Sequence, residues 1–311
     1  MSRQRFGRLA WGLLGYNLAV ILWGAWVRAS GSGAGCGEHW STCNGTIIPR
    51  SPSTATLIEF THRTTSGLAL LLTVALVVGA FRLWPRGHRV RRASLTALGF
   101  MVLEALLGAG LVLFGLVGDD ASPARAVVMM VHLSNTLFLL AGMALAALWS
   151  TDDRAIRLDR SAGVSLGIAV GSVVLVGVTG AIAALGDTLF PAMSLIEGLA
   201  ADLDPRSHFL LQLRTLHPVF AVLCGGYLIA LGARWRAGQT RVPANLLIGL
   251  VVTQLFAGFI NLALLAPVWL QLVHLLLADL VWVALIVFCV ARLSDPDKSA
   301  APGRIPERPM L

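Results

Sequence analysis

Residues 57–80 read LIEFTHRTTSGLALLLTVALVVGA. A polar opening turn, Glu59-Phe60-Thr61-His62, runs directly into an apolar stretch. At about 1.5 Å per residue, that stretch is long enough to cross a hydrocarbon core of about 30 Å. No water is available there to satisfy backbone N–H and C=O groups, so the segment must be a helix. Residues at i and i+3 share a helix face, which sets a carboxylate beside an imidazole where a loop becomes a span. Ionisable groups inside a spanning segment are costly, and function is their default explanation.

The same kind of run recurs along the 311 residues. Eight can be drawn, at 10–28, 58–81, 93–117, 124–149, 162–185, 207–233, 243–265 and 268–291. Charged residues make up 13% of the chain, against roughly 25% in a soluble domain, and the mean hydropathy is +0.77. The expected fold class is an all-α polytopic membrane protein, eight transmembrane helices arranged as two pseudo-symmetric four-helix bundles. A net charge of +8 could suggest nucleic acid, but its distribution excludes that reading. Basic residues cluster before the first run (Arg3, Arg5, Arg8), between the second and third (Arg82 to Arg92), and after the fourth, sixth and eighth. All of these lie on one side, which the positive-inside rule makes cytoplasmic, together with both termini. The first run is long and lacks a small-residue cleavage site, so it reads as a retained span. The expected location is a membrane, crossed many times.

The loop after the first run, GSGAGCGEHWSTCNGTIIPRSPSTAT from Gly31, contains Cys36 and Cys43. On the oxidising side a disulfide closing this short loop is favoured. Zinc, with His39 between the cysteines, is the rival, but Cys-x6-Cys is not a usual zinc spacing. Cys224 and Cys289 fall inside spans as apolar fillers. Glu104, in VLEALLGAGLVLFG, is either a proton-relay group or a carboxyl hydrogen-bonded within the bundle, and Gly108 and Gly110 beside it suggest close helix approach. Span four brings His132 and Asn135.

The polar stretch TDDRAIRLDR, Thr151 to Arg160, reads as a linker between an N-terminal half, 1–150, and a C-terminal half, 161–292, with a cytoplasmic tail at 293–311. The second half echoes the first. His217 stands for His62, Gln254 for Glu104, Gly258 for Gly108 and His274 for His132, the last two histidines each in a Val-His-Leu triplet. Both halves start on the same side, which describes a parallel repeat about an axis along the membrane normal. The second long loop, from Gly186, is expected to hold a short amphipathic helix near Ser194–Leu203, lying on the membrane or over a pocket.

Four of the seven histidines lie within spans: His62, His132, His217 and His274. All are on even-numbered spans and at comparable depth near the outer ends. A lone intramembrane histidine is a packing residue. Four at one depth, two per half, point to ligands of haem iron, with one site at His62/His132 and another at His217/His274. His39, His88 and His208 are assigned to surface positions. Haem propionates need cations near the surface; Arg63 and Arg214 are the candidates, with Arg28, Arg125 and Arg206 also outside. Interfacial snorkelling is the alternative for each. The halves differ where the first has Glu59-Phe60-Thr61-His62 and the second Arg214-Thr215-Leu216-His217. That acid-for-base exchange argues for one catalytic site and one electron-transfer site.

On GSGAGCGEHWSTCNG, IEFTHR, the two Val-His-Leu triplets and LRTLHP, the chain resembles the heme A synthase family over residues 9–292, in particular bacterial members with a cysteine pair in the first extracytoplasmic loop. The resemblance implies oxidation of a ring methyl of haem O to the formyl group of haem A, for terminal oxidases. It makes Glu59 the catalytic carboxylate and His62 and His132 the ligands of the substrate haem. His217 and His274 would ligate the iron of a haem b cofactor, and Cys36 and Cys43 would form the disulfide. The second long loop carries no cysteines. Implied partners are haem O, the haem O synthase that supplies it and a membrane electron acceptor; a homo-oligomer is left open. With both axial positions of the substrate iron filled by histidines, oxygen has no place on it. The reading is therefore electron removal from the porphyrin, with Glu59 stabilising a cationic methyl group that water captures. The rival is a di-haem b electron-transfer protein linking quinone to an outer acceptor, without chemistry on either haem. A solute transporter explains neither the pairing of the histidines nor their common depth.

Overall fold

The computed structural model describes residues 2–151 and 160–294. The greater part of the proposed linker and of the C-terminal tail lies outside the described residues. Among those described, eight helices or helix pairs are long and apolar enough to cross a membrane, where the apolar runs predict them. They are α1 (Arg3–Ala29), α2 (Thr54–Leu83), α3 (Arg89–Leu113), α4 (Pro123–Thr151), α5 (Arg160–Leu189), the pair α7 (Phe209–Arg214) and α8 (Leu216–Arg234), α9 (Arg241–Ala263) and α10 (Val268–Leu293). The short α6 (Leu195–Leu203) lies in the second long loop, as expected from its amphipathic pattern. Side-chain caps open several helices: Ser53 accepts from the Thr56 amide at α2, and His88 from Val90 at α3.

The sixth span differs from its sequence reading, because it breaks at Thr215 between α7 and α8. Pro218 has no N–H to give the Arg214 carbonyl four residues back, and its ring crowds that turn. The break therefore falls one turn before the proline, at the segment that carries Arg214 and His217.

In the first half α1 packs on α2 and α4, and α3 closes the ring between α2 and α4; in the second, α8 packs on α5 and α9, and α10 on α9 and α5. The two rings meet where α10 lies against α1 and α4, and α5 against α4. Across this joint the Trp282 indole donates to the Leu137 carbonyl at 2.6 Å. At the face carrying the disulfide loop, Arg28 of α1 crosses to the second half. It donates to the Ala184 carbonyl at 2.6 Å, to the Thr188 hydroxyl, and to the Gln271 side chain at 3.1 Å. An arginine expected to be one of several outer cations thus joins the halves.

Burial is uneven along the helices. Phe6, Leu140, Met143, Trp282, Leu285 and Phe288 are fully buried, and all lie toward the arginine-rich face. The turns at the level of the membrane histidines are only half-buried. On the arginine-rich face cations rest on aromatic rings, Arg91 on Phe81 at 3.7 Å and Arg292 on Trp235 at 4.7 Å.

Cys36 and Cys43 form the disulfide. Closing a loop of this length removes about 2.5 kcal/mol of denatured-chain entropy. In a Cys224→Ser/Cys289→Ser background, a membrane-impermeant maleimide applied to the outer side is expected to label the protein only after reduction. Labelling from the cytoplasmic side alone would invert the topology.

Candidate functional site

His62 is set between two fixed points. The Tyr16 hydroxyl donates to the Thr65 carbonyl and the Trp23 indole to the Ile58 carbonyl, both at 2.9 Å, so α1 grips α2 on either side of the histidine. Between these ties α1 presents Gly24, where an added Cβ would lie 2.8 Å from the His62 ring. The arrangement recurs at two other histidines. Gly180 of α5 faces His217, with 3.1 Å to a hypothetical Cβ, and Gly258 of α9 faces His274, with 2.9 Å. Each ring fills space that the neighbouring helix leaves by lacking a side chain. Gly24 and Gly180 escaped the sequence reading. Their signal was a glycine at like depth in the first span of each half, but a glycine in an apolar run does not announce what it faces.

Glu59 is 3% exposed and lies beneath the disulfide loop. The loop comes down on α2 at Gly35, where a Cβ would be 2.5 Å from backbone atoms of Ala55; only glycine permits that approach. The Cys36 amide then donates to Glu59 Oε2 at 2.8 Å. Arg63, one turn along α2, donates to Oε1 from Nε at 3.0 Å and from Nη2 at 2.5 Å, and its Nη1 reaches the His39 and Thr42 carbonyls at 2.6 and 2.9 Å. Arg214 is bound in a comparable way, to Asp202 of α6 at 2.5 Å and to Asp187 at 3.1 Å. The two arginines expected to hold propionates thus bind carboxylates and loop carbonyls: Arg63 an acid one helical turn away, Arg214 one acid of α5 and one on the covering loop.

In the second half the His217 and His274 rings lie edge to face, with centres 6.4 Å apart and planes at 90°. Two metal–nitrogen bonds of about 2 Å each, plus the reach from nitrogen to ring centre on both sides, come to about 6 Å, close to the distance between the two ring centres. In the first half His62 and His132 lie within electrostatic range of each other and of Glu104. Buried Nδ1 atoms of His62, His132 and His274 lack hydrogen-bond partners. Among the described residues no group of three or more His, Cys, Asp or Glu side chains is placed to hold a metal ion. Each pair thus offers two protein donors, the set required by a macrocycle that brings its own equatorial nitrogens.

Glu104 stands 3.2 Å from His132 Nδ1. That separation is ion-pair contact without the alignment of a hydrogen bond, which is why the same nitrogen is also unpartnered. Gln254, its counterpart in sequence, has its amide nitrogen 3.3 Å from His274 Nε2. His39 is exposed, whereas His88 and His208 are half-buried and cap α3 and α7. Asp279 of α10, 1% exposed with Oδ2 unpartnered, was missed although an acid within an apolar run is legible.

The chain matches the family described as cytochrome oxidase assembly protein, COX15-CtaA, over residues 7–286. It is 50% identical over 306 residues to a protein of Thermus thermophilus named protoheme IX farnesyltransferase, a match covering 96% of this chain and 50% of that one. Shorter matches are to heme A synthase of Symbiobacterium thermophilum, 45% identical over 96 residues and 31% of each chain, and to heme A synthase of Alkalihalophilus pseudofirmus, 39% identical over 98 residues, 32% of this chain and 33% of that one. The chain spans about half the length of the Thermus relative, and the matched parts of the two others cover about a third of theirs.

Filling the space opposite His62 should be costly. Gly24→Val is expected to destabilise the protein by about 1–3 kcal/mol through overpacking, seen as a lowered melting temperature in detergent. Gly15→Ala on the same helix, where a Cβ meets nothing within 4 Å, should leave it unchanged or higher. Equal melting temperatures for both variants would rule out the proposed seating of the ring.

Proposed function

The chain belongs to the COX15-CtaA family of cytochrome oxidase assembly proteins, and from that premise we propose that it is a heme A synthase, an oxidoreductase that converts the ring methyl of haem O into the formyl group of haem A. The observation that supports this reading is the pair of adjacent imidazoles in the second half, His217 and His274, with ring centres 6.4 Å apart, beside a first half with its own two histidines and one carboxylate fastened under a loop. In this reading residues 1–150 receive haem O between His62 and His132, and residues 161–292 hold haem b between His217 and His274. The rings formed by α1–α4 and by α5 with α8–α10 are then the parallel repeat. Its support is that they meet through corresponding members, α1 and α4 against α5 and α10.

Converting a methyl to a formyl group consumes one water and releases four electrons and four protons, first to a hydroxymethyl and then to the aldehyde. The electrons leave for an acceptor in the membrane. When bound, haem b would supply one-electron transfer between substrate and that acceptor. The protein's own part is positional and electrostatic. Glu59 is held in place by Arg63 and the Cys36 amide, a carboxylate suited to stabilise positive charge developing on the methyl carbon and to take up a proton as water adds. The disulfide loop shields that carboxylate from bulk solvent. The Thermus relative supports the supply side: its name denotes farnesylation of protohaem, the step that makes haem O, and its length exceeds the matched part by about as much again. A haem O synthase is accordingly the proposed partner.

Co-expression with a source of haem O, followed by haem extraction and chromatography, tests the reading: haem A should appear only when this chain is present. Glu59→Gln should retain both haem spectra and give neither hydroxylated nor formyl product. His217→Ala should lose the b-type spectrum. Unconverted haem O in a protein carrying two haems would favour the electron-transfer reading instead.

A further inference from the structure

The halves differ in the partner that each offers to its second histidine. In the first, Glu104 of α3 faces His132 at 3.2 Å. Its oxygens also accept from the Asn135 amide and the Thr136 hydroxyl, and Asn135 reaches on to the Phe100 carbonyl at 2.9 Å. Asn135 and Thr136 lie one turn beyond His132 on α4, so the carboxylate is fixed relative to the ring from both helices and cannot rotate away. In the second half Gln254 meets the other ring nitrogen, Nε2 of His274, at 3.3 Å, and Nδ1 of His274 has no hydrogen-bond partner.

We propose that Glu104 is a positioning residue for His132, orienting its ring and raising its electron donation so that iron bound there is harder to reduce than iron bound between His217 and His274. The inference rests on the two-haem reading above. A carboxylate facing the non-ligating nitrogen of an imidazole fixes its tautomer and increases its basicity as a ligand, and hydrogen bonding to an axial ligand is one of the means by which a protein sets haem potential. His274 has no such carboxylate at its Nδ1. Glu104 thus biases an electron shared between the two sites toward the second half, the direction that oxidation of a substrate in the first half requires.

Redox titration of the intact, haem-loaded protein, followed optically, tests this. Glu104→Gln, which removes the charge beside Nδ1, is expected to raise the ferrous-to-ferric ratio of the first-half site about tenfold at fixed ambient potential, or about 59 mV for a one-electron couple, leaving the other transition in place. If Glu104→Gln fails to retain haem, Glu104→Asp carries the test: it withdraws the carboxylate from Nδ1 while keeping its charge, and should shift the same transition in the same direction by a smaller factor. His132→Ala identifies the first-half transition by eliminating it. Unmoved potentials with the low-spin spectrum retained overturn the role of Glu104 alone. A His132→Ala protein that keeps both transitions overturns the two-haem reading, and this inference with it.

Discussion

Three imidazoles occupy space that exists only because the facing helix has glycine there. Gly24, Gly180 and Gly258 let α1, α5 and α9 come close enough for His62, His217 and His274 to lie against backbone. This constraint fixes the rotation of each histidine helix about its axis and the distance to its neighbour. The polar ties of Tyr16 and Trp23 to α2 carbonyls then fix the register along the axis. In lipid, where apolar side chains gain nothing from being hidden from water, such small-residue contacts and interhelical hydrogen bonds carry helix association. Toward the arginine-rich face a second principle takes over: large side chains such as Trp282, Phe288 and Phe6 are packed without exposure. The molecule therefore has a densely interlocked base beneath a histidine level that is more open and is held by a few specific contacts.

Both halves place a loop over that level, and both fasten it through an arginine close to the histidine in sequence. Arg63 gathers the carbonyls of the disulfide loop together with Glu59; Arg214 gathers Asp202 of α6 and Asp187. Buried ion pairs contribute little net stability, because desolvation offsets the attraction; their value here is registry. The difference lies in where the acid is rooted. In the first half it is rooted on the spanning helix, one turn from His62, so tying down the loop also holds a carboxylate beside the histidine. In the second half the acids belong to α5 and the covering loop, and the spanning helix contributes the cation. The covering segments also expose aliphatic side chains, Ile47 and Ile48 in the first and Met193 and Ile196 in the second, each more than 70% exposed. That suits segments resting in the interfacial region of a bilayer.

The spans were legible because a bilayer allows few alternatives, and an uninterrupted apolar run has one structural solution. The disulfide followed from compartment and spacing. What the sequence concealed was direction. Arg63 and Arg214 could be located near one face but not aimed, and each found an acid in place of a free surface. Arg28 read as one outer cation among several because its partners Ala184, Thr188 and Gln271 are more than 150 residues away. The break at Thr215 was encoded by Pro218, yet its result, two helical pieces meeting beside Arg214, required the fold. Glu104 was visible as a carboxylate within a span with two readings; the donors Asn135 and Thr136, which hold it against His132, support a hydrogen-bonded group within the bundle.

The joint between the halves bears on any two-site chemistry. Electron exchange between sites requires a fixed separation, and here the separation is governed by α1 and α4 against α5 and α10. At the dense base this contact is anchored by the indole of Trp282 on the Leu137 carbonyl, at a point where apolar packing already suppresses motion. At the disulfide face the surrounding packing is looser, and the burden falls on Arg28, whose planar fork reaches both α5 and α10 at once. A lysine could satisfy one of these acceptors but not hold two helices in a common plane. The geometry relating the two sites therefore depends on one guanidinium group at the level where the helices are least constrained by packing, and on the bulk of the core everywhere below it.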